Sequence, residues 1–508
     1  MSDFKTNTVS GSSIVAIRSC VIQILLKLFY HKTFTYNNSR ELINFMMINK
    51  EIHKILFPVL IKRIEYAFSG LKNWKRNTNY DKIERMCVDT YKLTSGMFTQ
   101  FEKLKDIRFS DKFIRDIEFG MLPQTLTKLT FGYYFNKKLY PGVLPKGLQY
   151  LCFGKSYNQH IEACSLPSTL THLTFGWDFN RKLKKRRLPT SLTHLIFGFS
   201  FNQFLMEGVL PNNLLYLEFG NCFDQIFEKN TLPQSLKEIK LFGSFDRYLE
   251  QKILPKSLEK MTFSTSFNKP FVLETLPDNL IELDLGTSFN RSLEVGILPQ
   301  TLIRLTFGSS FNQKVMSGVL PTKLKYLEFG YDFEQSLIDD NNYSILPGTL
   351  THLIFGKNFN QSLIDSYRCN ILPNTLTRLE FNYDSKFDQT LCNFEGEPVL
   401  PKALTYLEFG NTFNHSVRNL KGNTVFPNTL VHLKFGDNFN QILTSDLCDD
   451  PVFPHGLIYL EFGGYFDQPL TDEIIPNGVT RLIMYKTYKY PLEERLLQIT
   501  TKKRSAYH

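Results

Sequence analysis

Eleven side chains of this 508-residue sequence sit at one position of a recurring phrase: Tyr150, His172, His194, Tyr216, Arg304, Tyr326, His352, Arg378, Tyr406, His432 and Tyr459. Imidazoles can ligate metal, but His352 and His432 stand far from the other two in sequence, and only Cys152 could join His172 and His194. That falls short of a tetrahedral set, so no metal and no cofactor is expected. The sequence has no nucleophile elbow, no phosphate-cradling glycine loop and no paired acid site, so no catalytic residue is named and an enzyme is not expected. Noncovalent recognition remains. Tyrosine and arginine are frequent interface anchors, each offering a large area with few rotors and a polar tip. Two positions further on, Glu328, Glu380, Glu408 and Glu461 would select a basic partner or pair internally, as Arg378 with Glu380.

These residues must be held by the phrase around them. In LPTSLTHLIFGFSFNQFL, Leu188 to Leu205, a Leu-Pro pair opens the unit, and the same pair recurs every 22 residues from Leu122 to Leu320. It returns at Leu346, Leu372, Leu400, Phe426, Phe453 and Ile475, with steps of 26 to 28 residues and finally 22. Such a period marks a stack of similar coils. The alternation His194, Leu195, Ile196, Phe197 predicts a short strand with Leu195 and Phe197 inward and His194 outward. Proline, lacking an amide hydrogen, belongs at a corner, and Gly198 should let the chain leave the strand through a backbone conformation that a side chain would obstruct. One strand per coil and no room for a long helix predict a parallel sheet. Its open face, with strands about 4.8 Å apart, would be on the order of 75 Å long. On that face Tyr326→Ala should leave the melting temperature nearly unchanged. An alternative reading of the column is that tyrosine and histidine simply suit an exposed pleated surface.

The asparagine of each Phe-Asn-Gln carries a donor and an acceptor. A column through Asn136, Asn158, Asn180, Asn202, Asn268, Asn290, Asn312, Asn360, Asn414 and Asn440 should tie successive corners, with Asp224, Asp246, Asp388, Asp467 and Glu334 as substitutes. Since one coil cannot cover its own apolar face, caps are expected at both ends. The expected layout is residues 1–69 helical, 70–99 a linker or start of cap and 100–121 a capping repeat. Fifteen repeats follow over 122–474, then a partial repeat over 475–490 and a polar basic tail over 491–508. Insertions such as IDDNNYSI and RNLKGNTV stack on one edge as a second surface or as tolerated loop growth.

Composition narrows the class. Apolar residues are 42%, charged residues 21%, and 46 phenylalanines stand against 2 tryptophans, which fits one apolar position copied many times. The net charge of +10 is concentrated in residues 1–99, which carry +8, whereas a nucleic-acid solenoid would spread it along the array. The eight cysteines are scattered without a C-x-x-C pair, so a reducing, cytoplasmic setting is expected. The apolar stretch SIVAIRSCVIQILLKLFY is broken by Arg18, Gln23 and Lys27 and is expected to be a buried helix, with no membrane span.

The phrase L-P-x-x-L-x-x-L-x-F-G-x-x-F-N-Q closely resembles the FNIP repeat, a leucine-rich-repeat-like unit of about 22 residues. The resemblance implies a repeat solenoid, a leucine-rich-repeat-like parallel β-sheet array with a small N-terminal α-helical segment. Phe242 and Ser264 depart from it by replacing the glycine. Many FNIP proteins resembling this one carry an N-terminal F-box, which docks a substrate receptor onto a cullin-type ubiquitin ligase. Residues 14–68 resemble such a segment loosely. Ile22, Leu25 and Leu28 recur at helical spacing, and after TYNNS so do Leu42, Ile43 and Met47. These six would contact a ligase adaptor, although the Leu-Pro that usually opens an F-box is absent. The resemblance thus implies a substrate receptor of an SCF ubiquitin ligase, holding a protein partner on the sheet face. The alternative is a scaffold whose N-terminal helices only seal the array.

Overall fold

The computed structural model describes residues 66–68, 83–89, 93–99, 101–365, 370–444 and 451–503. The chain divides into two compact units, residues 1–154 and 155–508. In the first, Tyr66–Phe68, Arg85–Val88, Asp106–Phe109, Lys128–Thr130 and Tyr150–Cys152 each pair in parallel with the next. In the second, every strand from His172–Thr174 to Thr500–Lys503 does the same. His194 faces Tyr216, 22 residues on, while in the longer coils Arg378 faces Tyr406. The register therefore follows the Leu-Pro phrase and absorbs the insertions outside the sheet.

The strands are three to five residues long because each is bounded chemically at both ends. Before the strand, the Leu192 amide donates to Pro189 O at 3.2 Å, closing the corner that the proline opens. Within the strand, Leu195 and Phe197 are buried and His194 and Ile196 partly exposed, as the alternation predicts. Beyond it, Phe201 and Leu205 return to the core. Phe197 and Phe201 stack at 3.9 Å between centroids, and each stacks on the equivalent ring one coil on, Phe219 at 5.3 Å and Phe223 at 6.2 Å. The core is thus two adjacent columns of rings, which explains the phenylalanine excess.

The glycine after the strand does a different job from the one expected. A Cβ on Gly198 would stand 1.8 Å from Gly176 O of the coil before, so what Gly198 permits is close backbone stacking of coils rather than an unusual dihedral angle. Where Phe242 takes this position, the next residue, Gly243, supplies the approach with φ +66°, and a Cβ there would stand 2.1 Å from Asn221 O. Ser264, the other departure, is buried and donates its hydroxyl to Phe245 O at 2.6 Å.

Both ends differ from the expected layout. Strands at Tyr66–Phe68 and Arg85–Val88 precede the cap expected from residue 100, and the first falls inside the segment expected to be helical. Residues 491–503 are not a plain tail. A helix, Glu494–Ile499, buries Leu496, and the strand Thr500–Lys503 pairs with the strand Arg481–Tyr485. Leu496 is the side chain this helix lays on the last coil, while Leu497 stays exposed, and the many charges of the segment obscure that contact in the sequence. The six residues named for a ligase adaptor, Ile22, Leu25, Leu28, Leu42, Ile43 and Met47, lie outside the described residues.

Candidate recognition face

All eleven residues named from the sequence fall on the first residue of a strand, on the side away from the phenylalanine columns. Tyr150 belongs to the first unit and is 41% exposed. In the second unit Arg304 is exposed, while the other nine are half-buried, because they cover one another. His172 lies on His194 at 4.2 Å, and Tyr216 follows at 5.7 Å. After the charged strands beginning at Glu238, Lys260 and Glu282, a second run starts. The Arg304 guanidinium sits 3.3 Å from the Tyr326 ring centre, and His352 lies 6.2 Å beyond. Arg378 caps Tyr406 at 3.6 Å, His432 is sandwiched between Tyr406 at 4.0 Å and Tyr459 at 4.1 Å, and Arg481 closes the pile at 5.4 Å. The sequence column is thus two separate patches of stacked rings and cations.

The glutamates two positions on pair inside the face. Tyr326 donates its hydroxyl to Glu328 at 2.7 Å, and Tyr406 and Tyr459 donate to Glu408 and Glu461. Arg378 pairs with Glu380, Lys434 with Glu408 at 3.3 Å and Lys503 with the buried Glu461 at 2.7 Å. Glu218, bound by Tyr216, plays the same part and is missing from the sequence reading, although the triplet Tyr-Leu-Glu marks it as it marks the others. Burial works against the Glu408 carboxylate. The nearby His432 ring, the Tyr406 hydroxyl and Lys434 outweigh it and hold the group at about 2. His432 Nε2 lies 3.3 Å from Glu408 Oε1, an ion-pair distance rather than an aligned hydrogen bond. Burial, and then the glutamate hydrogen bond, push the Tyr216, Tyr326, Tyr406 and Tyr459 phenols up, so they remain neutral donors.

Two of the histidines are set differently. Thr193 donates to Thr171 O at 3.1 Å, so its contact of 2.9 Å with His194 Nδ1 needs the hydrogen on the ring. Thr351 does the same for His352 while donating to Lys325 O at 3.0 Å. In the neutral rings the acceptor is therefore Nε2. Burial, with His194 beside it, pushes His172 below its usual range, and burial, with Arg378 next to it, does the same to His352.

The asparagine column works as read over two stretches. Asn202 N–H donates to Asn180 Oδ1 at 3.0 Å, Asp224 N–H to Asn202 Oδ1 at 3.0 Å, and the series runs to Glu334 on Asn312 at 3.1 Å, then from Asp388 on Asn360 at 2.9 Å to Asp467 on Asn440 at 2.9 Å. Glu334 breaks it, because its carboxylate accepts from the Asn312 side chain and not from the next coil's amide. The following glutamine amide shares the same oxygen, as Gln203 does on Asn180 at 2.8 Å. A parallel hydroxyl column is absent from the sequence reading. Ser191 donates to Leu170 O at 2.6 Å, Ser235 to Leu214 O at 2.7 Å and Thr375 to Leu350 O at 2.7 Å. Its signal is the recurrent serine or threonine before the second leucine of the phrase. Also missed is an edge pile in which Lys155 lies 5.1 Å over Trp177, which stacks on Phe199 at 4.2 Å.

Among the described residues no three of His, Cys, Asp and Glu converge as metal ligands would, and no described helix is long and apolar enough to cross a membrane. The family model for the FNIP repeat matches ten segments running from residues 92–134 to 439–486. The chain belongs to the FNIP repeat family. This FNIP array also matches the crystal structure of CroV588, described as a novel circular LRR protein. The identity is 35%, the TM-score 0.66, and the match covers 84% of this chain and 67% of that one. The mouse RP105/MD-1 complex matches at 13% identity with a TM-score of 0.48, covering 80% of the FNIP array's chain and 77% of the other. The Toll–Spatzle complex of Drosophila matches at 15% identity with a TM-score of 0.40, covering 79% and 50%. No curated protein sequence matches the chain. The FNIP array is a parallel β-solenoid with a leucine-rich-repeat-like fold.

Proposed function

We propose that the FNIP array is a protein recognition module that holds its partner on the face bearing the stacked rings. The observation that carries this reading is the run Arg378, Tyr406, His432, Tyr459, Arg481. Its rings and cations are already packed on one another and hydrogen-bonded to Glu380, Glu408 and Glu461. Such side chains lose little freedom on binding, which is the main cost that preorganised interfaces avoid. Stacked Tyr and Arg also supply the anchors that concentrate binding energy. A partner crosslinked to the full-length protein in its own cells should be lost on Tyr459→Ala combined with Arg481→Ala, with the fold unchanged by circular dichroism. Retention of the same partner would refute the assignment of this run.

The finer reading is that residues 14–68 act as an F-box-like segment, delivering the captured protein to a cullin-type ubiquitin ligase. Its support is the family association and the helical spacing of Ile22, Leu25, Leu28, Leu42, Ile43 and Met47. Removing residues 1–60 spares the first strand. It should abolish copurification with adaptor and cullin subunits, and absence of those subunits from the intact protein would leave the scaffold reading.

A further inference from the structure

One corner of the second unit carries more positive charge than the described residues around it pair. Residues 181–187, Arg-Lys-Leu-Lys-Lys-Arg-Arg, place six cations around the buried Leu183, and the buried Leu188 follows. Two of the six are engaged. Arg187 lies 3.9 Å from Glu162, and Arg181 Nε donates to Asn158 O at 3.0 Å. Lys182, Lys184, Lys185 and Arg186 are exposed and have no carboxylate partner among the described residues.

The backbone beneath them is fixed. Arg187 N–H donates to Lys184 O at 3.3 Å, and Arg186 holds the left-handed φ of 61° that Gly208 adopts at the same place one coil on. The run therefore cannot open into an extended peptide and enter another protein's groove without tearing Leu183 and Leu188 from the core. It works as a surface or not at all. At the same corner the coil before carries Gln159, His160 and Glu162, and the coil after carries Gln203, Phe204 and Glu207. The positive strip is thus one coil wide, with an acid on the neighbouring coil to either side.

We propose that this corner docks an acidic segment of a protein partner, an extended run of aspartate and glutamate crossing the stack along the strip. The narrowness decides the class. A nucleic-acid duplex or a bilayer gains affinity by covering many cations over a broad footprint, and here it would meet Glu162 and Glu207 at once. One acidic strand fits between them and supplies the carboxylates that the four free cations lack.

The test uses the full-length protein and a fluorescein-labelled peptide of alternating glutamate and glycine, followed by anisotropy. The variant combines Lys184→Gln, Lys185→Gln and Arg186→Gly. Glycine suits the left-handed position, so the fold should be retained, and the melting temperature checks it. The wild-type protein should bind the peptide, more weakly as salt rises, and the variant about tenfold more weakly, the loss that three exposed charge pairs would produce. Equal binding by the variant, no binding by the wild type, or equal binding of a glutamine-glycine peptide would overturn the proposal. So would tighter binding of a thymidine oligonucleotide or of phosphatidylserine vesicles with the same loss in the variant, since the corner would then be a phosphate site.

Discussion

At the scale of single residues, each polar position of the phrase is used in the stack. Asn202 Oδ1 accepts from the Asp224 amide and the Gln225 side chain, so Asn202→Ala should lower unfolding free energy in urea by about 1–3 kcal/mol. Asn202→Asp should cost less, because Asp224 already accepts the Asp246 amide in the next coil. His172 and His352 titrate below their ordinary 6.5 in the folded chain. The unfolded chain therefore takes up protons first, and the stability of the neutral rings is complete above that value and is lost as pH falls through it. Melting temperature should drop between pH 7.5 and 5.5, and less in His172→Gln with His352→Gln. Glu408 acts further down the scale. Its carboxylate, held near 2 against an ordinary 4.5, contributes fully above 4.5 and less as pH falls toward 2.

At the scale of the coil, the glycine and the phenylalanines set the spacing together. Gly198→Ala places a methyl 1.8 Å from Gly176 O, a backbone atom that cannot yield without separating two coils, so a loss of about 3 kcal/mol or more is expected. Phe307→Ala, mid-column between Phe311 and Phe329, should cost about 3–5 kcal/mol by leaving a cavity. Calorimetry on both variants compares backbone contact with ring packing. Tyr326 is the case where the structure changes the expectation. Its ring is covered by Arg304 and its hydroxyl is held by Glu328, so Tyr326→Ala should cost about 1 kcal/mol instead of nothing.

At the scale of the molecule, stability is a sum of coils and the interfaces between neighbours, so the ends matter as much as the middle. The C-terminal helix and strand lie on the last coil and bring Lys503 to the buried Glu461. Removing residues 491–508 should uncover that coil, take Lys503 from Glu461, raise the binding of a hydrophobic dye and lower the melting temperature. The whole recognition face shares this logic. It is a surface made by stacking, with no one coil presenting it.

The 22-residue period, the inward leucines and phenylalanines, the outward column from Tyr150 to Tyr459 and the asparagine ladder were legible in the sequence, because each is a local repeat whose partner is the same residue type one coil away. The stack alone decided which of those outward groups remain available. Tyr406 is covered by Arg378 and His432, Arg304 covers Tyr326, and Lys182, Lys184, Lys185 and Arg186 are left unanswered. Such pairings depend on distances of 3 to 4 Å between side chains of neighbouring coils, which spacing along a chain does not encode. The same reason hid the purpose of Gly198 and the seal made by Leu496: both are contacts with a neighbouring coil, and they exist only once that coil is in place.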